Sequence, residues 1–87
     1  MIILFSRDFV KNHKKLDTKI KEMFQKKLEL FAIDEFNQKL ANHGLKGSYV
    51  GVRSISVTGD FRAHYLIHNS ETRLFIDIGT YSQLYKK

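Results

Sequence analysis

Ile2 to Phe5 is an unbroken apolar run, too short for a helix and suited to a strand. From Ser6 the apolar positions fall three and four apart. Phe9, His13 and Leu16 lie on one side of "SRDFVKNHKKL", which predicts a helix capped by Ser6. Asp17 or Thr18 opens a second helix, in which Ile20, Met23, Phe24, Leu28 and Phe31 form a wide apolar stripe while Lys19, Lys21, Glu22, Lys26 and Glu29 face outward. The two helices read as a hairpin. Residues 32 to 48 keep a less regular period. Phe36 and Leu40 fit either an extension of the helix or an irregular connection that leaves it at Asp34 and turns both side chains to the core. Gly44 and Gly47 end whatever helix remains.

After Gly47 the period drops to two. In "YVGVRSISV", Val52, Ser54 and Ser56 alternate with Arg53, Ile55 and Val57, and Ile55 and Val57 are the inward positions. Thr58, Gly59 and Asp60 supply a turn, with Gly59 suited to positive φ. Phe61 to Ile67 is the next strand, His68 to Glu71 a turn and Arg73 to Ile78 a third strand; the tail from Gly79 closes as a short strand, turn or helical turn. The order β-α-α-β-β-β with a short C-terminal element predicts one α+β domain over residues 1–87, a single sheet packed against an N-terminal helical hairpin.

Composition narrows the chemistry. With 43% apolar residues, seven Phe and four Tyr, the chain has the material for a packed core. Cysteine is absent, which excludes disulfides and thiol chemistry, and four scattered His make no metal-binding pattern, so no metal or cofactor is expected. No long apolar run precedes the first charge, so neither a signal peptide nor a membrane span is expected and the reading is cytoplasmic. The formal net charge of +6 favours polyanions, RNA, DNA or an acidic partner protein, and speeds the encounter with them.

Three fragments, "FSRDFVKNHKKL", "HGLKGSYVGVRSISVTGDFRAHY" and "RLFIDIGTYSQLY", are spread along the chain from Phe5 to Tyr85. Together they resemble the RelE/ParE superfamily of bacterial type II toxins, most closely its YafQ-like branch. The middle fragment is similar to a pattern of His, Leu and Gly, then Gly-x-Arg, then an acidic or glycine-rich turn into an aromatic strand. The last is similar to a Gly-Thr-His-x-x-Leu-aromatic ending. The resemblance implies an antiparallel sheet with a concave basic face, and a metal-independent, ribosome-associated mRNA endoribonuclease neutralised by a cognate antitoxin. The ParE branch, which shares the fold, implies a gyrase-inhibiting toxin instead, and a catalytically degenerate RNA- or antitoxin-binding protein is the third reading; fold alone does not choose.

The resemblance also assigns candidate residues. His43 matches the first His of the YafQ-like motif and is suited to exchange a proton with the 2′-hydroxyl or the leaving 5′-oxygen; alternatively it caps the preceding segment. Two further family histidines fall on Ser56 and Tyr81. Neither a hydroxyl nor a phenol of ordinary pKa, ~10, is a ready general base, so Ser56 also reads as an ordinary strand residue and Tyr81 as a proton donor, a base-stacking group or a rim aromatic. Arg53 and Arg62 match arginine positions of the family and offer planar forks for a phosphate. Asp60 falls on an acidic position, where it orients a His or Arg or caps its own turn through an Asx bond. From the residues alone, His64 lies two beyond Arg62, so strand parity puts both on one face, where His64 is a local substitute for the missing imidazole. Lys46, Lys86 and Lys87, with Arg53 and Arg62, add to the field around an RNA backbone. Parity sets Arg53 and Ser56 on opposite faces, and only a bulge near residues 54 to 55 or a division of roles reconciles them.

Overall fold

A computed structural model of the chain describes residues 1–85. The elements run β1 (Ile2–Phe5), α1 (Arg7–Lys14), α2 (Thr18–Ile33), β2 (His43–Gly44), β3 (Val52–Ser56), β4 (Phe61–Ile67), β5 (Thr72–Thr80) and α3 (Tyr81–Tyr85), with single 3-10 turns at Gln38–Leu40 and Gly47–Tyr49. Five strands form one sheet in the order β1-β5-β4-β3-β2. The fold is the expected α+β arrangement, with one refinement: β1 runs parallel to β5, while every other pair is antiparallel. A helical hairpin between β1 and the meander lets the first strand return along the far edge. Among the described residues no helix is long and apolar enough to cross a membrane.

Both helix starts follow from short side chains that accept a backbone donor. Ser6 Oγ takes the N–H of Phe9 at 3.1 Å, and Asp17 Oδ1 takes that of Ile20 at 3.0 Å. The apolar stripes then meet the sheet. Phe9, Phe24, Phe31, Ile55, Val57, Ala63, Tyr65, Phe75 and Ile78 form the buried core, with Leu16, Ile20, Met23 and Leu28 packed against it. Its centre is aromatic: the Phe31 ring meets those of Tyr65 and Phe75 edge-on at centroid distances of 4.9 and 5.2 Å.

The segment after α2 is the irregular connection, not a longer helix. Asp34 already leaves helical dihedrals, ten residues before Gly44, which lies in β2 rather than at a helix end. Leu40 is fully buried as one alternative required, but Phe36 stays largely exposed, and the Arg53 guanidinium lies over its ring at 5.2 Å. A polar network holds this connection down. Arg73 grips Glu35 with Nε on Oε2 at 2.9 Å and Nη2 on Oε1 at 3.0 Å, and Tyr65 donates its hydroxyl to Glu35 Oε2 at 2.7 Å. Asn42 Nδ2 donates to the Tyr65 oxygen at 2.8 Å, and Arg53 Nε donates to Asn42 Oδ1 at 2.9 Å. Burial opposes ionisation of Glu35, but its bonds from Arg73 and Tyr65 hold the carboxyl below the usual range, while burial pushes the Tyr65 phenol up to about 12.

Two turn expectations are corrected. Gly59 does not take positive φ; Gly47 and Gly51 do. The hairpin turn is capped by Thr58, whose Oγ1 accepts the N–H groups of Asp60 and Phe61 at 3.2 and 3.0 Å, rather than by an Asx bond from Asp60.

Because the folded-state pKa of Glu35 is depressed, its contribution to stability is present above the unfolded value of about 4.3 and is lost as pH falls through the folded one. Glu35→Gln should therefore lower stability by about 2–3 kcal/mol at neutral pH. It should also flatten the acid limb below about pH 4, as read from urea unfolding across that range.

Candidate active site

Register decides which side chains share a face. Ile55 pairs with Ala63 and both are core residues, so their neighbours of opposite parity, Ser54, Ser56, Arg62 and His64, turn to the face away from the helical hairpin. Across that face the pairings His43↔Ser54 and Ser54↔His64 make one cross-strand row, and Ser56↔Arg62 begins the next. The pairing of β3 is regular through residues 54 and 55. The irregularity lies instead on β5: Tyr65 pairs with Phe75 and His64 with Asp77, so Ile76 is the extra residue. That bulge keeps both Phe75 and Ile78 in the core and leaves the Asp77 carboxylate on the helix side, where Oδ1 accepts from Asn12 Nδ2 at 2.7 Å.

The β3 parity does separate Arg53 from the row. Arg53 lies on the hairpin side, bonded to Asn42 and stacked on Phe36, so the structure does not bring it together with Ser56, Arg62 and His64. Asn42 and the edge pairing hold His43 at the rim: it is exposed, and its Nδ1 lies 3.0 Å from the Ala41 carbonyl. A carbonyl only accepts, so Nδ1 carries the proton and Nε2 is left as the acceptor. Ser56 is half-buried and donates its hydroxyl to the Thr58 carbonyl at 3.0 Å. Arg62 is half-buried too, and its Nη1 is sealed from solvent with no hydrogen-bond partner among the described residues, as is the Ser54 hydroxyl. A buried guanidinium donor without a partner, on the face away from the core, meets an outside acceptor only when the side chain shifts toward it.

α3 closes over this row. It begins with a reciprocal cap: Thr80 Oγ1 accepts the N–H of Gln83 at 3.2 Å and Gln83 Oε1 accepts that of Thr80 at 2.8 Å. Tyr81 N donates to the Asp60 carbonyl at 3.1 Å, which fastens the helix start to the hairpin turn. Asp60 thus contributes its backbone; its carboxylate is exposed. Tyr81 is 62% exposed, with its ring 4.5 Å from that of Tyr85. Tyr85 reaches back so that its hydroxyl lies 3.1 Å from His64 Nε2, and Tyr49 packs edge-on against Tyr85 at 5.4 Å. His64 is consequently only 3% exposed. Burial is the main cause that pulls its pKa below the ordinary value, with Asp77 opposing and the charges of Arg62 and His43 assisting. Burial likewise raises the Tyr85 phenol, so the pair rests as neutral ring and protonated hydroxyl.

Lys46 is exposed just before the 3-10 turn that carries Tyr49. Lys86 and Lys87 lie outside the described residues. Sequence reasoning missed Tyr85, Tyr49 and Ser54. For Tyr85 a signal existed: "TYSQLY" contains the Thr-x-x-Gln capping box, and a helix there puts Tyr81 and Tyr85 four apart on one face. Among the described residues no group of three or more His, Asp or Glu is arranged to hold a metal ion.

The arrangement is that of a compact basic and aromatic site on one face of an α+β fold. No protein-family model matches the sequence, and no curated protein matches it significantly. Solved structures do. The crystal structure of YafQ from E. coli strain BL21(DE3) is 25% identical and superposes with a TM-score of 0.76, covering 95% of this chain and 96% of its own. A YoeB/ParE toxin from Agrobacterium tumefaciens is 16% identical with a TM-score of 0.78, over 93% of this chain and 99% of its own. The RelB-RelE antitoxin-toxin complex from Methanococcus jannaschii gives 24% identity and a TM-score of 0.76, with 95% of each chain covered. The chain is a structural homologue of the RelE/ParE/YafQ toxins and has their fold over most of its length.

The depressed pKa of His64 predicts that its imidazole titrates below about 6.5, while a denatured sample titrates at that value. Stability should then decline as pH falls from about 6.5 through the folded value, because only the unfolded chain gains the proton. Imidazole NMR titration of the native protein checks the midpoint; one at or above 6.5 contradicts it.

Proposed function

We propose that the protein is the toxin of a type II toxin-antitoxin pair, and that it cleaves messenger RNA without a metal, on the ribosome. The observation that carries this reading is the cross-strand row His43, Ser54 and His64, with Arg62 beside it and Tyr81 and Tyr85 above, on a fold shared with such toxins. In the reaction the 2′-hydroxyl attacks the adjacent phosphate and the P–O5′ bond breaks, giving a 2′,3′-cyclic phosphate and a 5′-hydroxyl. Arg62, half-buried beside the row, brings the positive charge that offsets charge on the pentacoordinate phosphorus. His43 has a free Nε2 at the rim to handle a proton, and the exposed Tyr81 ring is suited to stack on a base. Much of the rate comes from holding the nucleotide in line, because these side chains are individually modest catalysts.

The partner in this reading is a cognate antitoxin. Solved complexes of DinJ with YafQ and of RelB with RelE support it by analogy, and the +6 charge suits an acidic segment. A cytoplasmic site of action goes with a ribosomal target. A second reading, binding without cleavage, is favoured by one observation: Ser56 stands where the family pattern has a catalytic His, and its hydroxyl is spent on Thr58.

Mapping of cuts on messenger RNA, with and without ribosomes, separates the readings. Wild type should give specific cuts, and Arg62→Ala should lower the rate by about 10²–10³-fold. Inhibition of DNA supercoiling with RNA intact supports a gyrase-directed toxin, and neither activity despite tight antitoxin binding supports the binder.

A further inference from the structure

We propose that Tyr85 is a catalytic residue of the RNA-cleavage reaction, passing the proton of the attacking 2′-hydroxyl to the buried His64, which acts only through it. The inference rests on the nuclease reading above and deepens it.

The geometry argues as follows. His64 sits in the middle of the row yet is 3% exposed, so RNA cannot touch its ring. The hydrogen-bond partner of its Nε2 among the described residues is the Tyr85 hydroxyl, at 3.1 Å. A phenol has one proton to donate and lone pairs to accept with. With its proton aimed at His64 Nε2, the half-buried Tyr85 keeps lone pairs for two further donors, the neighbouring Ser54 hydroxyl and a hydroxyl arriving from solvent. Such an arrangement moves a proton without moving the helix. The 2′-hydroxyl gives its proton to the Tyr85 oxygen as Tyr85 gives its own to Nε2; the 2′-oxygen bonds to phosphorus and the P–O5′ bond breaks. The leaving 5′-oxygen takes a proton from water, and the hydroxide so formed is neutralised when His64 returns its proton through Tyr85.

The surroundings fit a base rather than an acid. His64 is faced by Ser54 across the sheet, Arg62 from its own strand, His43 from β2, Tyr49 from the 3-10 turn and Tyr85 from α3, while the Asp77 carboxylate of β5 is turned to Asn12 of α1. Burial pulls the pKa of the ring below the ordinary imidazole range, with the charge of Asp77 opposing and that of Arg62 assisting. Arg62, whose charge reaches both His64 and Tyr85, is half-buried and brings positive charge to the phosphate whose 2′-hydroxyl Tyr85 would meet. Tyr85 falls on the aromatic that ends the family pattern, whereas His64 has no counterpart in that pattern as it matches this sequence, in which histidines fall on His43, Ser56 and Tyr81.

Single-turnover cleavage of ribosome-bound messenger RNA, measured against pH, tests the relay with wild type, Tyr85→Phe, His64→Gln and the double variant. Wild type should show an acid limb below about pH 6.5. Each single variant should lose about 10²-fold in rate together with that limb, and the double variant should be no slower than either. Losses that multiply, an unchanged acid limb in Tyr85→Phe, or rates within about twofold of wild type overturn the relay while leaving a nuclease. A wild type that cuts no RNA overturns the nuclease reading and the relay with it. Imidazole nitrogen shifts guard against a folding artefact: the native protein should show His64 with Nδ1 protonated and Nε2 accepting, and Tyr85→Phe should change Nε2 alone. An Nε2-protonated ring in the native protein also overturns the proposal.

Discussion

The hydroxyl of Tyr65 and the carboxylate of Glu35 meet at 2.7 Å, and much of the molecule is arranged around that contact. The Tyr65 ring is wholly inside the aromatic core, between Phe31 and Phe75, while its oxygen reaches the irregular connection that follows α2. Arg73 supplies the charge that makes the buried carboxylate tolerable, and Asn42 uses the same phenol oxygen as its anchor. One residue after Asn42 comes His43, on a two-residue edge strand. The polar network on the hairpin side of the sheet therefore positions a candidate proton carrier on the other side. Breaking it acts on the rim of the site as well as on stability.

The same division of labour runs through the whole sheet. The helices claim one face with phenylalanine and aliphatic side chains, and strand alternation then commits Ser54, Ser56, Arg62 and His64 to the other. Nothing about those residues had to be gathered by a special loop. Beside the row, the bulge at Ile76 changes the phase of β5 so that Phe75 and Ile78 point the same way, and the Asp77 carboxylate bonds Asn12 of α1. A single extra residue thus serves the core and ties β5 to the first helix.

Much of this was readable in the sequence. Spacings of three and four placed both helices, Ser6 and Asp17 marked their starts, and the alternation from Val52 onward gave the hairpin and the shared face of Arg62 and His64. What was not readable depended on partners far apart in the chain. Glu35 and Arg73 are 38 residues apart, so local pattern left the segment after Asp34 undecided. Arg53 looked like a phosphate ligand because its residue type suits one; its parity had already set it opposite Ser56, and Asn42 and Phe36 occupy it. The bulge lies at Ile76 rather than at residues 54 to 55, and the sequence conceals it, because Leu74, Ile76 and Ile78 are apolar and alternate as in a regular strand. Tyr85, unlike Tyr81, was hidden by an undecided tail, although that tail holds a capping box.

That capping box has a consequence for how the site is held together in time. A helix of five residues forms too few internal hydrogen bonds to offset its own nucleation cost, so α3 exists because Thr80 and Gln83 satisfy each other's backbone donors and because Leu84 is buried. Its opening free energy is set by those few contacts and not by the aromatic core, which places it among the parts of the molecule that can detach while the rest stays folded. When it lifts, the lid over His64 and the hydroxyl that touches it leave together. The chemistry thus has a local equilibrium of its own, and a partner that captured the detached tail would silence the site by withholding two tyrosines, without ever occupying the groove beneath them.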